Sequence, residues 1–284
     1  MYNNLILISI LIYGISFAQP RSSVDNEIGW YGYFGDHKIA KKWSIHTEYQ
    51  WRRDDFILTW QQSLARFGVN YNIHENAMVT VGYAQAQTFP YGKYPISVPN
   101  KAGEDQAFPE HRIYQDLLIK NNTGIFEVNH RLKLEERWLG NLYDADGNLR
   151  KDEWRFMMRF RYRFRVAMPL QGKTIDDKEF YLHSFDEILI GAGYNVGANV
   201  FDQNRFNFGL GFRVHKNFRI EAGFLSQIVQ KARTLNTYDK TASTIPIFEY
   251  NTGFLVGVTY NLDFTKKVAV NMDIPAVLPE NSVK

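Results

Sequence analysis

Five arginines lie within residues 154–168 of this chain, all at odd-numbered positions. They are Arg155, Arg159, Arg161, Arg163 and Arg165, and every even-numbered position of the segment is apolar. A helix turns 100° per residue and would scatter these arginines around its surface, whereas a β-strand places them all on one face. Guanidinium groups bind carboxylates and phosphates through paired hydrogen bonds, so this face can form ion pairs or attract anions.

Charged residues follow the same period of two in the preceding segment, 124–139. We expect the two segments to pair as antiparallel neighbours, with Glu127 and Glu135 facing the arginines. Alternation also turns Glu48, Arg52 and Arg66 towards this interior. The main candidates for lining it are Arg112, Arg131, Lys133, Glu135, Arg137, Arg155, Arg159, Arg161, Arg163, Arg165, Glu187 and Arg205. Basic residues outnumber carboxylates in this set, and such walls favour anions.

Period-two alternation recurs along most of the chain. The segments lie near 27–36, 43–52, 59–72, 77–88, 110–121, 124–139, 154–168, 178–192, 205–214, 217–231 and 254–264. The clearest of them are long enough to cross a membrane at a tilt of about 45°. Their polar faces carry charge pairs and glycines, and their apolar faces have aromatic ends. These features favour a single-chain, transmembrane, antiparallel up-and-down β-barrel over a soluble β-sandwich.

The number of strands is less clear than their nature. Eleven segments alternate, whereas bacterial single-chain barrels have even numbers of strands. We expect twelve strands, with ten as the fallback. The missing strand would lie in 19–27 or in 265–275, unless the opening segment is not part of the wall. The predicted barrel spans 19–264, and 265–284 is a C-terminal periplasmic tail or an extra strand.

Connection lengths and tryptophans indicate the two ends of this barrel. Short connections near 37–42, 72–76, 121–124, 169–178 and 215–217 alternate with mostly longer ones, as periplasmic turns alternate with extracellular loops. Trp51 and Trp60 flank one outer loop, and Trp138 and Trp154 flank another. Trp43 lies eight residues before Trp51, which is about 26 Å along a strand. We expect all five to be membrane-interface anchors, with Trp43 on the periplasmic side.

The N-terminus indicates export. Residues 5–17 form an uncharged apolar run that is too short to span a bilayer as a helix, and small residues Ser16 and Ala18 precede a suitable cleavage point. We expect residues 1–18 to be a signal peptide cleaved after Ala18, although residues 1–4 carry no Lys or Arg. The expected location is the outer membrane of a Gram-negative cell. Expected partners are outer-membrane lipid, lipopolysaccharide and, during biogenesis, the barrel-assembly machinery.

Composition excludes several other classes of protein. The chain has 284 residues, no cysteine and a formal net charge of +3. A mean hydropathy of −0.36 excludes a polytopic helical membrane protein. The balanced charge argues against nucleic-acid binding, and the absence of cysteine excludes disulfides and thiolate metal sites.

Several short motifs resemble an uncharacterised family of Gram-negative outer-membrane β-barrels, known only as a domain of unknown function. The motifs lie at 110–115 (Glu-His-Arg and then Gln115), 130–138, 186–187 and 201–205. Where the family often has a second glutamine, this chain has Asp116. The resemblance implies a barrel in the outer membrane and no known activity. It marks the motif residues only as candidates for facing the lumen.

The residue pattern is compatible with two functions of the barrel interior. The ion pairs form either a plug that makes the barrel rigid or the wall of a porin-like channel for passive transport of small anionic solutes. An alternative of another class is a lipid-modifying hydrolase with a serine–histidine site on the lipid-facing wall, for which only His130, and His183 beside Ser184, give a hint. We expect no enzyme and no catalytic residue.

Metal and cofactor sites are not indicated either. The acidic segment 144–148 resembles half of a calcium loop, but its glycine stands at the fourth position instead of the sixth. A polar turn is the better interpretation. We therefore expect no metal and no cofactor.

Overall fold

A computed structural model describes residues 22–92, 107–143, 149–196, 200–230 and 247–265. Eleven β-strands account for most of them: β1 (Ser22–Lys38), β2 (Trp43–Asp54), β3 (Thr59–His74), β4 (Ala77–Thr88), β5 (Phe108–Thr123), β6 (Phe126–Tyr143), β7 (Leu149–Pro169), β8 (Glu179–Ala192), β9 (Phe201–His215), β10 (Phe218–Gln230) and β11 (Ile247–Tyr260). A 3-10 turn covers Tyr194–Val196. None of the helical structure in these ranges is long and apolar enough to span a membrane.

The strands form one closed barrel in which each strand pairs with its neighbours in sequence. All hairpin pairs are antiparallel, whereas β1 and β11 close the barrel in parallel, from Ser22 opposite Ile247 to Phe34 opposite Thr259. The prediction of a closed, all-β barrel is confirmed.

The strand count differs from the expected twelve and from the fallback of ten. β1 and β11 both run from the end with long connections to the end with short ones, so they can pair only in parallel, and the sheet closes with eleven strands. Residues 19–27 were one of the two segments expected to contain a further strand. They belong partly to β1, which begins at Ser22. The predicted signal peptide and residues 266–284 lie outside the described ranges.

The two faces of the sheet have opposite chemistry, as the alternation predicts. Large apolar side chains point outward and are exposed, among them Phe67 (56%), Val81 (61%) and Phe160 (50%). Arginine and glutamate side chains at inward positions, such as Glu135, Arg161 and Glu187, are buried. This arrangement inverts the usual distribution in a soluble protein, where charged residues are almost never fully buried unless paired.

The five tryptophans expected to be interface anchors lie at or near strand ends. Trp43 begins β2 at the short-connection end, where its ring lies 4.6 Å from that of Tyr71. The other four lie near the long-connection end, with Trp51 beside Trp60 at 6.0 Å and Trp138 beside Phe156 at 5.3 Å. Trp154 lies 4.9 Å from the ring of His111. Their role as membrane-interface anchors stays a prediction.

The parallel closure can be tested by cross-linking, because the chain has no cysteine of its own. Asn26 and Asn251 are register partners on β1 and β11, and their side-chain amides are hydrogen-bonded at 2.8 Å. Neighbouring strands are about 4.8 Å apart, which suits a disulfide. We expect Asn26→Cys with Asn251→Cys to form a disulfide on mild oxidation, read as altered migration on a non-reducing denaturing gel.

The matched control pairs Asn26→Cys with Asn207→Cys. Asn207 is also buried in the lumen, but it lies on β9, which does not pair with β1. This control should stay reduced. A twelfth strand between β1 and β11 would instead prevent the first cross-link.

Candidate functional site

Glu135 lies at the centre of the barrel interior. It is on β6, its side chain is fully buried, and four guanidinium groups surround its carboxylate. The arginines and their N–O distances are Arg159 at 2.8 Å, Arg161 at 2.8 Å, Arg66 at 3.4 Å and Arg112 at 3.8 Å. These arginines come from β3, β5 and β7, so one carboxylate links four strands.

Glu187 on β8 is the second centre of the network. Arg161 donates to both of its carboxylate oxygens, at 2.8 and 2.9 Å. Arg131 donates to it at 2.8 Å, and Arg205 on β9 lies 3.4 Å away. Arg161 therefore joins Glu135 to Glu187, which is possible because its guanidinium group offers a planar fork of donors.

The network continues to the strands that close the barrel. The guanidinium group of Arg205 lies 5.0 Å from the ring centre of Trp30 on β1, and that of Arg52 on β2 lies 3.9 Å from it. Arg52 Nε donates to Gln50 at 2.9 Å, and Gln50 donates to Glu48, which pairs with Arg66.

These contacts form a complete circuit, which we call the belt. Its members are Trp30, Glu48, Gln50, Arg52, Arg66, Glu135, Arg161, Glu187 and Arg205. The pair Arg66–Glu135 spans from β3 to β6, which are not neighbours in the sheet. Trp30 and the charged members of the belt are at most 6% exposed. The belt therefore places buried, paired side chains around the interior at mid-height.

Burial makes these pairs mutually dependent. Moving a charged group out of water costs several kcal/mol, and partners recover that cost only when they supply good geometry and further hydrogen bonds. Glu135 and Glu187 meet this condition through contacts with several arginines each. Removing a central carboxylate would leave several buried cations short of a partner.

A small cavity lies on the long-connection side of the belt. It has a volume of about 90 Å³, and Glu110, Arg137 and Asp202 are among the residues that line it. Glu110 accepts from Arg112 at 2.7 Å and from Arg137, while Asp202 accepts from Arg159 at 2.9 Å.

Tyr91, which follows β4 outside the strands, also lines this cavity. Burial and the Glu249 carboxylate raise the pKa of its hydroxyl well above the usual value.

A larger cavity, the lower chamber, lies on the short-connection side. Its volume is about 330 Å³, and it is lined by charged residues and by apolar ones such as Phe34, Phe185 and Leu255. Three ion pairs contribute to its wall: Lys133–Asp116 at 3.0 Å, Arg131–Glu187 at 2.8 Å, and Arg165–Glu221.

The structure brings together most of the interior residues expected from the sequence. Arg112, Arg131, Arg159, Arg161, Glu135, Glu187 and Arg205 contact the belt or belong to it, and Lys133, Arg163 and Arg165 line the lower chamber. Arg137 lines the small cavity on the long-connection side of the belt. Arg155 lies on the same face of β7 as Arg159 and Arg161, nearer the long connections.

Trp30 is a member of the belt that sequence reasoning missed. On β1, polar and apolar residues do not separate by alternation, so Trp30 is not marked as facing the lumen. Glu110 was marked as a candidate for facing the lumen only by the family-like motif that it shares with Arg112, and it is buried beside the small cavity.

The residues that hinted at a hydrolase do not assemble into a catalytic pair. His183 is buried on the inner face of β8, whereas Ser184 lies on the outer face and donates to the backbone oxygen of Asn207 at 2.9 Å. His130 points outward and forms a hydrogen bond of 2.8 Å with Tyr162. The acidic segment 144–148 lies outside the described ranges, and within them no group of three or more His, Asp or Glu residues could hold a metal ion.

The chain belongs to the family described as Protein of unknown function (DUF2490), whose model matches residues 28–239. No curated protein and no solved structure matches the chain. Membership of this family assigns neither an activity nor a location.

The belt predicts unequal effects for two adjacent glutamates on β6. Glu135→Gln removes the charge that four buried arginines share, so we expect the free energy of unfolding to fall by about 3 kcal/mol. Glu136→Gln changes the same chemical group on the outer face, and we expect no loss of stability. Guanidinium chloride unfolding of the refolded protein in micelles, followed by tryptophan fluorescence, measures both. Equal effects of the two substitutions would contradict the role of the belt.

Proposed function

We propose that this member of the DUF2490 family is an outer-membrane β-barrel whose lumen is closed at mid-height by the belt, so that it serves as a rigid structural barrel. The observation that carries the proposal is the belt itself, a circuit of buried ion pairs completed by Gln50 and Trp30, in which Arg66–Glu135 joins strands that are not neighbours.

The outer surface supports a membrane location. Exposed apolar side chains cover the barrel wall on several strands, for example Phe67, Leu132, Phe160, Phe206 and Phe254. Soluble monomers rarely expose contiguous apolar patches of more than a few hundred Å². A bilayer would cover this surface, and a closed barrel leaves no strand edge unpaired in lipid. The signal-like residues 1–18 and the pattern of connections support export to the outer membrane.

The interior supports a closed state. An ion crossing the lumen would have to separate Arg66 from Glu135 or Arg161 from Glu187, where each group is almost fully buried. Breaking such pairs leaves a charge uncompensated in a medium of low polarity, which costs several kcal/mol. The cavities on the two sides of the belt would therefore remain separate while it is intact.

A passive, anion-preferring channel is the second candidate. The observation that favours it is the excess of arginine and lysine over carboxylates around the lower chamber. Conduction would require the belt to rearrange, after which small anionic solutes would meet a positive wall. The lipid-modifying hydrolase is not favoured, because Ser184 and His183 lie on opposite faces of the sheet.

Single-channel recording in planar bilayers tests the closed barrel. We expect the refolded wild-type protein to insert without stable conductance steps, because the belt blocks the lumen. Arg66→Ser combined with Glu135→Ser shortens both partners of the contact across the lumen. This variant should give frequent steps of stable conductance.

The control variant combines Glu127→Ser with Arg219→Ser. This pair also joins a carboxylate and a guanidinium group inside the barrel, at 3.8 Å, but both side chains are partly exposed near the short connections. We expect it to stay silent. Stable conductance of the wild-type protein, at the level of the belt variant, would contradict the closed barrel and favour the channel. Failure of the folded wild-type protein to enter bilayers would contradict the membrane location.

A further inference from the structure

One arginine side chain in the wall of the lower chamber takes no part in the ion-pair network of the described residues. Arg163 lies on β7 and lines the chamber, yet within the described residues it has no carboxylate within 4.0 Å. Its guanidinium group lies 5.6 Å from the centre of the Phe185 ring. Its neighbours on the same strand, Arg161 and Arg165, both have carboxylate partners.

Arg131 increases the positive charge at the same place. It stands directly opposite Arg163 in the register of β6 and β7. Side chains at such positions have Cβ atoms about 5 Å apart, and like charges there repel each other. The Nε atoms of both arginines are buried and have no hydrogen-bond partner in the part of the chain that the structure describes. Buried donors without a partner cost free energy that a ligand with acceptor oxygens would recover.

The nearby carboxylates are already used by other cations. Glu187 contacts Arg131, Arg161 and Arg205, while Asp116 pairs with Lys133 at 3.0 Å. Glu221 accepts from Arg165 and from the hydroxyl of Tyr181. None of these three carboxylates lies within ion-pair distance of Arg163. The positive charge of this arginine is therefore available to a ligand in the chamber.

We propose that the lower chamber binds a small oxyanion of the phosphate class, held by Arg163 and Arg131. A phosphate group offers several acceptor oxygens and matches the planar fork of a guanidinium group. The chamber, at about 330 Å³, exceeds the size of a bare phosphate, and Phe34, Phe185 and Leu255 supply apolar wall for a small organic body. The proposal rests on the barrel interior alone and does not depend on conductance or on the membrane location.

Isothermal titration calorimetry with inorganic phosphate tests this site in the refolded full chain. The protein is kept in octyl glucoside micelles, in a zwitterionic buffer of low salt. We expect one saturable binding event in the wild-type protein. Arg163→Gln should weaken it by about tenfold or more, the size expected for losing a hydrogen bond to a charged group. Because Arg163 forms no ion pair with any described residue, this variant should keep the heat-modifiable gel migration of the folded barrel.

The matched control is Arg213→Gln. Arg213 also lies inside the barrel, but it contacts Asp177 at 3.1 Å and the backbone oxygen of Ile175, away from the chamber. We expect phosphate affinity to be unchanged in this variant. If Arg163→Gln does not fold, Arg163→Lys replaces it, and we expect weaker binding because the fork of donors is lost. Absence of saturable binding in the wild-type protein, or equal losses in the Arg163 and Arg213 variants, would overturn the proposal.

Discussion

The carboxylate of Glu135, shared by four buried guanidinium groups, is the interaction on which the rest of the interior depends. Buried charges inside a narrow barrel are costly, and contacts with opposite charges recover much of that cost. Eight strands enclose a space just wide enough to fill with side chains, and eleven enclose a somewhat wider one. Arginine is long enough to reach across this space, and its five donors allow it to serve two carboxylates at once, as Arg161 does.

The way the barrel closes determines which residues can join this network. Parallel pairing of β1 with β11 brings Trp30 into the lumen between Arg205 and Arg52. The indole ring of Trp30 thereby connects Arg205 on β9 with Arg52 on β2. Gly82 leaves room for the Tyr114 ring that packs beneath the belt, because a Cβ at position 82 would lie 2.5 Å from that ring.

The strands and most interior residues were predictable, because alternation reports directly on which face a side chain occupies. The strand count was not, because it depends on pairing between chain ends; Asn26 and Asn251 are 225 residues apart in sequence. Partners across the lumen were equally hidden, as Arg66 and Glu135 lie 69 residues apart on strands that are not neighbours. Alternation places Ser184 and His183 on opposite faces, so the weakness of the hydrolase hint was visible in the sequence.

The proposed closure of the lumen depends on ion pairs between strands that are not neighbours, of which Arg66–Glu135 is one. A double-mutant cycle with Arg66→Gln and Glu135→Gln, read as the free energy of unfolding in micelles, measures the coupling between two residues on strands that do not touch. We expect a favourable coupling of about 1–3 kcal/mol. Strictly additive effects of the two substitutions would mean that the two side chains do not interact, and would contradict a belt that closes the barrel.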